Sequence, residues 1–120
     1  MILYRPVGTA ELKLIEQSGY KEFPPRLPEQ PIFYPVLNEK YAREIAEKWN
    51  VKDTPDRKGY VTKFEVADDY CTQFEVHTVG RSYHQELWIP ADELESFNQH
   101  IIGTIKVIGE FSDTNSDLFQ

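Results

Sequence analysis

The sequence has a single cysteine, Cys71, so no intrachain disulfide can form and no cysteine-rich metal site can be built. That usage fits a reducing compartment. No run of lysine and arginine occurs, and 13 basic residues against 20 acidic ones give a formal charge of -7, which leaves extended nucleic acid without the row of cations that phosphates require. No apolar stretch approaches the length that crosses a bilayer, and Met1 to Arg5 meets Pro6 without the basic start and apolar core of a signal peptide. A cytoplasmic chain with no membrane partner is expected. The six glycines form neither a dinucleotide fingerprint nor a phosphate loop. His77, His84 and His100 are too scattered to share a metal face, so no metal site is expected. No internal repeat is present.

What is present is material for one core: 40% hydrophobic and 13% aromatic residues in a chain of 120. A single domain over residues 1–111 is expected, followed by a polar tail, 112–120. Ile2-Leu3-Tyr4 reads as a strand that ends at Arg5, because Pro6 cannot donate to a ladder. Thr9 is a candidate N-cap for a helix carrying Leu12 and Ile15 on one face, and Gly19 closes it. Five of the eight prolines lie between Phe23 and Pro35, which forbids a helix there; the accompanying Phe23, Leu27, Ile32, Phe33 and Tyr34 point to a segment that wraps the core or lines a cleft.

Asn38 should cap a second helix, along which Tyr41, Ala42, Ile45, Ala46 and Trp49 recur at helical spacing; Trp49 is read as core. Asn50 to Lys58 reads as a surface loop. Strands are expected at Tyr60 to Val66, Phe74 to Val79, Glu86 to Ile89 and Ile101 to Phe111, the last with a bulge at Gly103 or Gly109. Ala91 to Phe97 reads as a short helical turn. Helices early and strands late give an α+β class with a mostly antiparallel sheet.

Polar residues at apolar borders are the candidates for chemistry. Glu86 directly precedes Leu87-Trp88-Ile89, and burial penalises a carboxylate unless donors reach it. Arg5, at the end of the first strand, is a candidate ion-pair partner for Glu86. Cys71 has no neighbouring base and reads as a small buried hydrophobe.

The strand ending Leu3-Tyr4-Arg5, the Phe33-Tyr34-Pro35 segment before a helix, and Gln85-Glu86-Leu87-Trp88-Ile89 together resemble the three motifs of the ADP-ribosyltransferase superfamily. More closely, Leu3 to Gly8, Phe23 to Pro28 and Glu86 to Pro90 resemble small bacterial proteins labelled ADP-ribosylation/crystallin J1, a likeness spanning the chain to Phe111. The resemblance implies a split, mostly antiparallel sheet with two N-terminal helices and a cleft that grips NAD, as substrate, by its nicotinamide end. It implies Glu86 as the catalytic carboxylate, Arg5 on the ribose or phosphate side and Tyr34 stacked on nicotinamide, with Tyr41 and His84 also among the binding residues. Departures from the pattern are Phe33-Tyr34-Pro35 in place of Ser-Thr-Ser, Arg where His commonly accompanies Tyr, and His84 two residues before Glu86. A protein acceptor is one implied partner. The alternatives are a catalytically silent binding module of the same fold, or a regulatory or immunity-like protein whose acidic surface suits a basic partner.

Overall fold

The alternating run from Tyr60 to Val66 becomes the centre of the sheet. In the computed structural model, which describes residues 1–112, β1 (Ile2–Val7) and β7 (Ile101–Ser112) flank β3 (Lys58–Val66), both antiparallel to it. The polar tail expected at 112–120 lies, from residue 113 on, outside the described residues; Ser112 belongs to β7. Every strand pairing is antiparallel, in an α+β fold.

Contrary to expectation, β1 runs through Pro6, which pairs in register with Val61. The reason is strand parity. The Tyr4 N–H bonds the Val36 carbonyl at 2.9 Å, so amides of that parity face away from β3, and a proline at position 6 removes no bond from the β1–β3 ladder. Both glycines of β7 coincide with irregularity: the β3–β7 register shifts beside Gly109, and again across Gly103, which has φ of 76°.

Helix α1 (Thr9–Gln17) has Gly8 at its N-cap position with no side-chain cap, so Thr9 is its first residue instead of its cap and donates its hydroxyl to Asp56. Gly19 follows with φ of 75°, as a helix terminator should. In α2 (Glu39–Ile45) the Asn38 side chain accepts the Tyr41 N–H at 2.8 Å, the expected cap.

The helix then widens into a π-helical turn, Ala46–Asn50, and ends in α3 (Val51–Asp53), so the surface loop begins later than expected. The wider turn rotates the apolar stripe, and Trp49, read as core, is 63% exposed. Gly59 of β3 lies against this turn, where an added Cβ would come within 2.8 Å of both the Ala46 carbonyl oxygen and Asn50 Cβ. Gly59→Ala should therefore cost about 1–3 kcal/mol through backbone displacement, read as a lower urea midpoint with an unchanged slope.

The proline-rich segment does wrap the core. It carries β2 (Ile32–Phe33), and after α4 (Asp68–Cys71) the chain forms the hairpin of β4 (Val76–Thr78) and β5 (Gln85–Leu87), then β6 (Ile89–Pro90), which pairs with β2. A 3-10 turn, Ala91–Glu93, leads into α5 (Leu94–Gln99). On one face of the central sheet Leu3, Val7, Ile15, Phe64 and Ile105 pack with Phe23, Phe33 and Phe97 into the larger core. On the other face Val36, Ala42, Ala46 and Val61 form a smaller one under α2. Val61 is thus buried as well as its neighbours Tyr60 and Thr62, so β3 is covered on both faces there. Cys71 is in the larger core, where burial pushes its thiol upward.

Candidate functional site

The stretch from Pro35 to Leu37 splices the hairpin to the sheet. Val36 bridges Tyr4 of β1 on one side and Glu86 of β5 on the other. Beyond Val36, toward Arg5 and Pro6, no described bridge joins β1 to the β5 side, and a cleft of about 410 Å³ opens. Arg5 and Pro6 line one side; Tyr34, Val36, Glu86 and Trp88 line the rest, with Ile45 of α2. Hollows of about 400 Å³ occur elsewhere on the surface, so size does not single this one out; its residues do. The volume falls in the range of small-ligand pockets, about 300–1,000 Å³.

Arg5 lies on the core side of β1 between Leu3 and Val7 and is 9% exposed. A guanidinium there needs compensation, and α1 supplies it: Glu11 accepts Nε at 2.7 Å and Nη2 at 3.0 Å in a two-pronged pair. The guanidinium also sits 4.5 Å from the Phe33 ring centre, while Nη1 reaches the Tyr34 carbonyl only at 3.5 Å. Arg5 is therefore the partner of Glu11, not of Glu86. The signal for Glu11 was its place in the first turn of a helix that folds straight back from β1 through Gly8.

Glu86 is 9% exposed, and neutral donors hold both of its oxygens. Trp88 donates its indole N–H to Oε1 at 2.7 Å, and Tyr41 donates its hydroxyl to Oε2 at 3.1 Å. Each carboxylate oxygen can accept a second bond, so the group is fixed in orientation without being neutralised by a cation. Trp88 is itself braced by His77, whose ring is stacked at 3.6 Å and 5°, and meets Tyr34 edge-on at 6.3 Å. Tyr34 and Trp88 remain 40% exposed each, giving the cleft two aromatic walls.

Burial, and then the charge and hydrogen bond of Glu86, push the Tyr41 phenol up to about 12. A raised value favours the neutral phenol, so its contribution to stability is full below about pH 10 and is lost as pH rises to about 12. Tyr41→Phe should accordingly be less stable than wild type near neutrality, with the gap closing above about pH 10; urea midpoints along that range check it.

His84 does not line the cleft. It stacks on Tyr41 at 4.4 Å, accepts the Arg81 N–H on Nδ1 at 3.1 Å, and places Nε2 3.6 Å from Glu44. Tyr83 donates its hydroxyl to both Glu44 oxygens, which holds that carboxyl below its usual range and the Tyr83 phenol above its own. Tyr41 and His84 thus stand as a supporting layer behind Glu86, while Arg5, Tyr34 and Glu86 share the cleft.

Sequence reasoning passed over Arg26. Its guanidinium lies 6.0 Å from the Phe33 ring centre, near Arg5, Glu11 and Tyr34, and its Nε is buried with no hydrogen-bond partner. Burial, then the adjacent Arg5 charge, lowers its affinity for the proton. No spacing in the proline-rich run marks this position.

Among the described residues no three His, Cys, Asp or Glu side chains gather as a metal-binding group, and no helix is long and apolar enough to cross a membrane. Comparison with known proteins yields no matching family model, no matching curated protein and no matching solved structure.

Proposed function

We propose that the chain is an ADP-ribosyltransferase-like domain that binds NAD in the cleft and transfers ADP-ribose to an acceptor or to water. The observation that carries this reading is the convergence of Arg5, Tyr34 and Glu86, drawn from three separated segments, on one cavity, with Glu86 buried and oriented by Tyr41 and Trp88.

The chemistry suits those positions. Cleaving the bond between nicotinamide and ribose sends the electron pair out with nicotinamide and leaves positive charge on the ribose. A carboxylate already fixed beside that carbon stabilises the charge more in the transition state than in the ground state, because no reorganisation is needed. The remaining lone pairs of Glu86 can accept a ribose hydroxyl, and Tyr34 with Trp88 offers a flat aromatic slot for the nicotinamide ring. Ile45 and Val36 supply the apolar part of the lining.

The rival is a catalytically silent protein-binding module, and the observation in its favour is Trp49, 63% exposed on the π-helical turn. Calorimetric titration of the wild type with NAD, with nicotinamide release followed in the same samples, separates them. Binding with release supports the enzyme, binding without release a silent nucleotide-binding domain, and no binding the protein-binding module.

A further inference from the structure

Arg5 and Arg26 form a pair of guanidinium groups over one phenyl ring, but they are not equivalent. Glu11 takes both Nε and Nη2 of Arg5, so most of that fork is already committed. Arg26 keeps a buried Nε with nothing to donate to. A buried donor without an acceptor is unfavourable, and an oxyanion that reached it would remove that cost while gaining the fork's two parallel bonds. With Glu11 as the counter-charge, the three groups carry a net positive charge in a protein that is acidic overall; Arg5 lines the cleft, and Arg26 adjoins Arg5 over the Phe33 ring without lining it.

We propose that Arg26, not Arg5, is the principal anion-gripping residue, and that it binds the phosphate oxygens of a diphosphate whose remainder lies along the Arg5–Tyr34 wall. Arg5, locked by Glu11, positions that wall and the Phe33 ring beneath it. The proposal rests on the NAD reading for the identity of the rest of the ligand, but the anion site itself does not depend on it. A fork is needed here because only two parallel donors match a phosphate edge; a lysine offers a point charge instead.

The test is calorimetry with inorganic pyrophosphate, ADP-ribose and nicotinamide riboside on wild type, Arg26→Gln and Arg26→Lys. Pyrophosphate and ADP-ribose should each bind the wild type, weaken about tenfold or more in Arg26→Gln, and be only partly rescued in Arg26→Lys. Nicotinamide riboside, which has no diphosphate, should bind all three proteins alike. The thermal midpoint of Arg26→Gln should not fall, since the lost Nε has no partner; a retained midpoint shows that weaker binding is not unfolding. If pyrophosphate binds through Arg26 but neither NAD nor nicotinamide riboside binds, the anion site stands and the NAD reading fails. If Arg26→Gln binds ADP-ribose as tightly as wild type, or if the wild type binds neither anion, the proposal is overturned.

Discussion

Glu86→Gln is expected to lower nicotinamide release by about 10²–10³-fold, while NAD affinity stays within a few-fold of wild type. The substitution keeps the shape of the side chain and removes its charge. In the ground state a ribose hydroxyl can still bond the amide, so binding changes little; in the transition state the positive ribose meets a dipole in place of an anion. One further consequence follows from the local bonds. The carboxylate accepts from both Trp88 and Tyr41, whereas an amide has one acceptor oxygen, so one of those donors faces an N–H₂ group. A stability loss of about 1 kcal/mol should accompany the rate loss. Release at a rate within a few-fold of wild type would remove Glu86 from the chemistry.

Phe33→Ala should destabilise the protein by about 3–5 kcal/mol. The ring is fully buried, contacts Phe23 at 5.0 Å and Phe97 at 5.5 Å between centres, and carries Arg5 at 4.5 Å on its face. Truncation opens a cavity in the larger core and withdraws the aromatic support from a buried guanidinium, so packing and electrostatic losses coincide. Because Phe33 pairs with Ile89 across β2 and β6, the loss also reaches the strand that follows Trp88. Urea unfolding measures it; a change below about 1 kcal/mol would mean that the core does not extend under the cleft as described.

The contrast between Glu86 and Arg26 shows what the sequence could convey. Glu86 was legible because a carboxylate against an apolar strand start poses a desolvation problem visible in one dimension. The helix at Asn38 and the central strand were legible through capping chemistry and alternation, both local. The Tyr41–Glu86 bond and the orphan Nε of Arg26 depend on which distant segments meet, and no short spacing encodes that. Pro6 misled because the effect of a proline depends on which side of the strand its nitrogen faces, a fact fixed only by the neighbouring Val36. Trp49 misled for a related reason: the α-helical period was extended through a turn that adopts a wider one.

The two tryptophans provide the most direct test of a nucleotide in this cleft. Trp88 lines it and bonds Glu86 through its indole N–H, whereas Trp49 is not among the residues that line it. The indole N–H resonances should be followed by ¹⁵N-edited NMR as NAD is added. A saturable shift of the Trp88 signal, reduced in Glu86→Gln where its acceptor is changed, is the expected result. A Trp88 signal that stays in place at saturating NAD would contradict the account, whatever else on the protein responds.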